Sequence, residues 1–187
     1  MNQGKCEDCY LNSLAVQLGI RAALDGNLAN NGRYPLVSRY QMRFLYKHGS
    51  SCAPGNSKGV VQALEGSKLS SEYRTPYQLD VSEAISPDAF MEIADATKYV
   101  YIFPDHGWAA YVDAVYNALR THGPLEVGVD STMMIQSPDA PGGASVTLDH
   151  SVLLVGMRWE TGGRLVLTLQ NSWGTPWNGN GCIDVDG

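Results

Sequence analysis

Apolar side chains recur at helical spacing from Cys9 to Leu24: Leu11, Leu14, Leu18 and Ala22 form a stripe with Ala15 beside it. Asp8 stands where an N-cap is wanted and Gly26 where a left-handed stop is wanted, so the spacing predicts a helix over 9–24 with Cys9 in its first turn. Shorter periodic stretches predict a second helix over 38–46, with Tyr40, Phe44 and Leu45 inward, and a third over 58–65. After Lys98 a helix is predicted from Trp108 to Arg120, where Trp108, Tyr111, Val112, Val115 and Leu119 share a face and Gly123-Pro124 ends the run. Beyond it the period changes to that of strands. "LEVGVD" alternates, "SVLLVGM" is a short continuous apolar run, and "RLVLTLQ" returns across "ETGG" as a hairpin. A helical first part, 1–98, and a β-rich second part, 99–187, predict an α+β fold of two lobes with a cleft between them.

With 187 residues, 44% of them hydrophobic, the chain is long enough to build one domain or two lobes around a real core. Its 13 basic residues are scattered and the net charge is -6, a balance unsuited to neutralising phosphates, so nucleic acid is not an expected partner. The longest apolar runs fall far short of the roughly 20 residues that a membrane-spanning helix needs. No basic region followed by an apolar stretch opens the sequence, so it displays no signal peptide of its own.

Four cysteines invite chemistry: Cys6, Cys9, Cys52 and Cys182. Cys6 and Cys9 have the spacing of half a zinc ribbon, but no second pair accompanies them, and no metal or other cofactor is expected. A redox CxxC pair expects a preceding strand, for which there is no room before Cys9. The third reading is nucleophilic. A thiol in the first turn of a helix is favoured as thiolate by the unpaired N–H groups and the helix dipole, and it needs a histidine to hold its proton. Of the four histidines, His48, His106 and His122 lie in polar or Gly/Pro-rich loops, whereas His150 stands where a loop enters the apolar "SVLLVGM" run. Its second nitrogen needs an orienting group, and Asn171, at the end of the return strand and followed by Trp173 and Trp177, can supply one. An Asn-Ser pair at a strand end is otherwise turn chemistry.

These residues resemble the papain family of cysteine peptidases, cathepsins included, in four ordered blocks. "NQGKCEDCYLNSLA" is similar to the family's NQGxCGSCWAFSA, "GPLEVGVD" to GPVSVxxxA, "LDHSVLLVGM" to VDHAVxxVGY, and "LQNSWGTPWNGNGCIDV" to KNSWGxxWGExGYIRI. The resemblance implies that Cys9 is the nucleophile, His150 its general acid/base, Asn171 the residue that orients the imidazole, and Gln3 a donor to the tetrahedral oxyanion. It makes Trp173 the shield of the Asn–His hydrogen bond and Asp149 a modulator of the ion pair. It also implies a Cys6–Cys52 disulfide, worth about 4 kcal/mol on the chain-entropy model. Gly55 becomes the glycine whose backbone binds an extended substrate, and Ser151 a liner of the pocket for the second residue before the scissile bond. Peptide or protein substrates are the partners implied, with a pro-segment or protein inhibitor as further occupants of the cleft. The compartment implied is oxidising, lysosomal, vacuolar or extracellular.

The departures are local. CGSCW becomes CEDCY, so a glycine and a small residue become Glu7 and Asp8. Glu7 either favours Lys or Arg next to the scissile bond or points to solvent. Two acids beside the nucleophile are expected to raise its pKa. Cys182 falls where an aromatic is usual and is expected to be a buried thiol. The segments flanking the matched blocks are short, as in a piece of a longer protein or a pared-down variant. Three functions fit: an endopeptidase, a ligase or transpeptidase sharing its acyl-enzyme, and a non-catalytic binding or structural protein on the same scaffold.

Overall fold

The structure, a computed structural model, describes residues 2–4, 6–26, 36–47, 53–72, 91–92, 102, 107–134 and 148–187. The chain divides into two compact units, one of Lys5–Tyr101 and one of Met1–Gly4 with Ile102–Gly187. Helices occupy the first unit and an antiparallel sheet dominates the second, an α+β composition.

In the helical unit, α1 spans Cys9–Leu24, α2 Arg39–Lys47 and α3 Ser57–Leu64, with a short ladder of β1 (Lys68–Leu69) and β2 (Met91–Glu92). The stripe read from the sequence is the one buried: Leu11, Leu14, Ala15 and Ala22 are at most 2% exposed. Leu11, Leu14 and Ala15 pack with Val37, Met42, Val60, Val61, Leu64 and Leu69 into one core. Gly26 ends α1 at φ +85°, its N–H donating 3.1 Å to the Ala23 carbonyl. Asn56 caps α3, its side chain accepting from the Gly59 N–H at 2.8 Å. In α2 the expected face is only partly the buried one. Tyr40 is buried and Phe44 and Leu45 are half-buried, but the fully buried side chains are Met42 and Arg43.

In the second unit α4 runs Trp108–His122, followed by β3 (Leu125–Val129), β4 (His150–Trp159), β5 (Leu165–Gln170) and β6 (Cys182–Asp186). The four strands pair antiparallel in sequence order. Val115 on α4 packs on Val152, Leu154, Leu169 and Val185 of the sheet. Trp108 does not join that face as expected: at the first position of α4, before the helix reaches the sheet, it is 57% exposed. The β4–β5 hairpin closes through Gly162 and Gly163, both at positive φ, with the Glu160 N–H on the Arg164 carbonyl at 2.8 Å. Residues 2–4 belong to this unit because Asn2 bridges Trp173 and the Gln3 N–H donates to the Ser172 carbonyl at 2.8 Å.

Candidate active site

His150 is the first residue of β4, where it pairs with Val129, and is 7% exposed. The strand start is pinned from one side by Asp149, whose carboxylate accepts the Ser131 N–H at 2.7 Å and its hydroxyl at 2.8 Å. The Ser131 N–H, with the hydroxyl second, holds the Asp149 carboxyl below the usual aspartate range. On the other side Asn171 follows β5, fixed by its N–H on the Gly181 carbonyl at 2.8 Å. Its Oδ1 lies 2.8 Å from His150 Nε2 and also accepts the Ser172 N–H at 2.8 Å.

The second bond decides the first. An N–H donor requires an oxygen at that position of the amide, so the atom facing His150 is an acceptor and Nε2 must carry the proton. Nδ1 is then the imidazole's basic nitrogen. The cost is visible at the other end of the amide, where Asn171 Nδ2 is buried with no hydrogen-bond partner among the described residues, a penalty of about 1–3 kcal/mol. The Trp173 ring stacks on the imidazole at 5.1 Å between centroids and 30° between planes, and Trp177 meets Trp173 edge-on at 5.7 Å. The indole thus covers one face of the imidazole.

Gln3 is 9% exposed. The Ser172 hydroxyl donates to its Oε1, so the carbonyl end of the side-chain amide is held and the NH2 end is directed away from Ser172. The sequence reading assigns Ser172 no role; its place in the NSW block between Asn171 and Trp173 is the available signal. Ser151 pairs with Gly128 across β3 and β4, is 8% exposed, and donates to Glu126 Oε1 at 2.7 Å.

In the helical unit Cys9 carries a half-buried thiol, not in a disulfide, at the N-terminus of α1. Asp8 occupies the N-cap position, but its side chain makes no capping bond, contrary to the sequence expectation. The carboxylate is instead wholly buried, with Oδ1 taking a bond from Asn12 Nδ2 at 3.1 Å and Oδ2 lying 4.0 Å from Arg43 NH1. Glu7 is exposed. Gly55 is needed by its neighbours, since a Cβ there would stand 2.7 Å from Tyr10 Cζ and 2.9 Å from Tyr46 Cε1. Tyr10 and Tyr46 meet edge-on at 6.1 Å, and the Tyr10 hydroxyl donates to the Ala53 carbonyl at 3.2 Å. Burial above all pushes the Tyr10 phenol far above its ordinary value, so it stays a neutral donor.

Cys6 is buried and disulfide-bonded, which takes its sulfur out of any thiolate metal set; Cys52, the expected partner, lies outside the described residues, as do His48 and His106. His122 sits exposed in the last turn of α4. Cys182 opens β6 opposite Gln170 as a free, half-buried thiol whose pKa is raised, by burial first and Asp184 second.

Comparison with known proteins puts this arrangement in context. The family described as papain family cysteine protease matches residues 1–186. Cysteine proteinase 3 of Dictyostelium discoideum is 27% identical over 196 residues, covering 98% of this chain and 54% of the relative. Chymopapain of Carica papaya is 25% identical over 97% of this chain and 49% of its own length. The chain thus spans about half the length of the curated relatives it matches. Among solved structures, digestive procathepsin L 3 of Tenebrio molitor larval midgut superposes with a TM-score of 0.69 at 20% identity, over 99% of this chain and 59% of that one. Bromelain from Ananas comosus in complex with the E64 inhibitor gives 0.64 at 17% identity, over 99% and 82%. On the strength of a match along nearly its whole length, this chain belongs to the papain family of cysteine proteases.

Proposed function

We propose that the chain is a cysteine-type endopeptidase that cleaves peptide bonds through a thioester acyl-enzyme, with Cys9 as nucleophile, His150 as general acid/base, Asn171 as the residue that orients the imidazole and Gln3 as oxyanion donor. The observation that carries this reading is the buried His150–Asn171 bond, because its polarity leaves Nδ1 as the nitrogen that takes a proton. The Cys9 thiol gives its proton to Nδ1, and the thiolate sulfur attacks the scissile carbonyl carbon. The C–S bond forms as the carbonyl π pair moves to oxygen, where the Gln3 NH2 and the Cys9 backbone N–H donate to the oxyanion. Collapse breaks the C–N bond, and the imidazolium protonates the leaving amine. Water, deprotonated at Nδ1, then attacks the thioester; the acid product leaves and the thiol is regenerated.

Under the same reading Gly55 and Ser151 contact an extended substrate, Glu7 favours a basic residue next to the scissile bond, and Cys6–Cys52 is the disulfide. A pro-segment or inhibitor is a further ligand for these residues, in line with the proform and the E64 complex among the structural relatives. The disulfide suits an oxidising compartment, lysosomal, vacuolar or extracellular. The test is labelling with a thiol-directed epoxide together with hydrolysis of a fluorogenic peptide library. Cys9 is expected to be labelled and peptides cleaved, with kcat/KM falling at least about 10²-fold in His150→Ala and no turnover in Cys9→Ala. An unlabelled Cys9 in a folded chain that cleaves no peptide overturns the proposal.

A further inference from the structure

Behind the first turn of α1 lies a set of charges, buried apart from the half-buried Glu72, with no part in the chemistry above. Asp8 and Arg43 are both wholly buried, Arg43 NH1 standing 4.0 Å from Asp8 Oδ2 and 3.5 Å from Cys6 Sγ. Asn12, one turn along α1, donates to Asp8 Oδ1 at 3.1 Å and accepts from Arg39 NH1 at 2.5 Å. Arg39 in turn grips Glu72, its Nε 2.9 Å from Oε2 and its backbone N–H 3.3 Å from the same oxygen. The sequence of partners is therefore Glu72, Arg39, Asn12, Asp8, Arg43, with two acids against two guanidinium groups. Ion pairs of this kind are tolerated in a protein interior because opposite charges face each other, and removing one member of a pair is costly.

The position of one member matters. Asp8 immediately precedes Cys9, where the family pattern has a small residue, and a carboxylate beside a thiol works against the thiolate. We infer that Arg43 is a positioning residue for the nucleophile: its guanidinium holds the Asp8 carboxylate turned into the helical unit and offsets its charge, so that an acid stands next to Cys9 without suppressing thiolate formation. The inference builds on the assignment of Cys9 as nucleophile. The other titratable groups on α1 and on the helices packed against it are Tyr10, which burial keeps neutral, Arg21 near the far end of α1, Arg39, Tyr40, Tyr46 and Lys47 on α2, and Lys58 on α3, which is exposed; Glu7, just before α1, is exposed as well. Among the described residues, Arg43 is a cation 4.0 Å from the acid that adjoins the thiol.

The signs are distinctive. Arg43→Met takes a cation away from Asp8 and moves the Cys9 thiol up. Asp8→Asn takes an anion away from Arg43 and from the thiol and moves the thiol down. Removing both restores the balance. The experiment is the rate of Cys9 alkylation by iodoacetamide against pH, read by peptide mass so that Cys182 is counted separately, in the wild type, the two single variants and the double. The expected result is opposite shifts of the apparent thiol pKa, each about one unit, with the double variant close to wild type. Single variants that shift in the same direction, or folded variants that do not shift, overturn the inference. Should Arg43→Met fail to fold, Asp8→Asn and the double variant decide it, since a downward shift in the first and its reversal in the second are both required. A structural role alone would change melting temperature in all three without this pattern of signs. The readout needs no peptide, so opposite shifts in a chain that cleaves nothing would uphold the role of Arg43 and overturn the peptidase reading.

Discussion

Ser172→Ala isolates the orientation of one side chain. In the wild type the Ser172 hydroxyl donates to Gln3 Oε1, while the Gln3 N–H on the Ser172 carbonyl at 2.8 Å and the bridge from Asn2 to Trp173 tether the segment through the backbone. The substitution removes the first and leaves the others, so the variant is expected to fold and to keep Gln3 in place with its amide less constrained. A neutral hydrogen bond of this kind is worth about 0.5–1.5 kcal/mol, which converts to a loss of roughly 2- to 12-fold in kcat/KM if it is felt only in the transition state. The ceiling is the loss from Gln3→Ala, about 10²- to 10³-fold for an oxyanion donor. The assay is steady-state hydrolysis of one fluorogenic peptide by Ser172→Ala, Gln3→Ala and the double variant. KM is expected to stay constant, and the double variant to be no slower than Gln3→Ala, because Ser172 acts through Gln3. A serine variant as fast as wild type, or one that adds its own loss on top of Gln3→Ala, would refute the reasoning.

Three further outcomes are expected. Gly55→Ala must displace the rings of Tyr10 and Tyr46 from a Cβ placed 2.7 and 2.9 Å away. Overpacking of about 1–3 kcal/mol should lower Tm by roughly 2–10 °C by calorimetry, and an unchanged Tm would show that the rings give way freely. Asp149 has a folded-state pKa below its ordinary value, so its contribution to stability is present above the ordinary aspartate pKa and is lost as pH falls through the folded value. Asp149→Asn should therefore flatten the acid side of a urea-midpoint profile, an effect weakened by salt at this exposed site; an identical profile would count against the Ser131 clamp. Glu7→Gly should reduce the preference for Arg over Glu at the substrate residue next to the scissile bond, and equal ratios in the two proteins would assign Glu7 to solvent alone.

Much of this was legible in the residues, for reasons that differ by element. The bounds of α1 follow from a stripe of leucines and alanines and a glycine stop, signals local enough to be read without the rest of the fold. His150 and Asn171 were readable because each sits at the end of an apolar run, and the sheet joins those ends. The α2 face was not readable. A period of apolar side chains nominates Phe44 and Leu45, whereas burial of Arg43 is decided by Asp8 on another helix, a partner that no local pattern announces. The Asp8 cap failed for the same reason, its carboxylate being committed inward. β6 went without a strand assignment because "CIDVD" mixes apolar and acidic positions; three of its register partners are Leu167, Leu169 and Val166 on β5, which supply the packing its own sequence lacks. Trp108 shows the limit of periodicity at a helix end: in phase with the buried face, it is 57% exposed and meets Tyr111 of its own helix at 5.7 Å between ring centroids.

The bond between Ser172 and Gln3 joins positions 169 apart in sequence. Contacts of such separation form late, because the loop between them must close before they return any stabilisation. During synthesis Gln3 emerges long before Ser172, so the glutamine has no docking partner until the strand unit is nearly all translated. A nascent chain can wind α1 and present its thiol early, yet the proposed oxyanion donor is locked only when the sheet is complete. Under the proposed function, acyl transfer is in this way tied to the completed sheet, and a chain cut short of Ser172 would carry the thiol with Gln3 lacking that anchor.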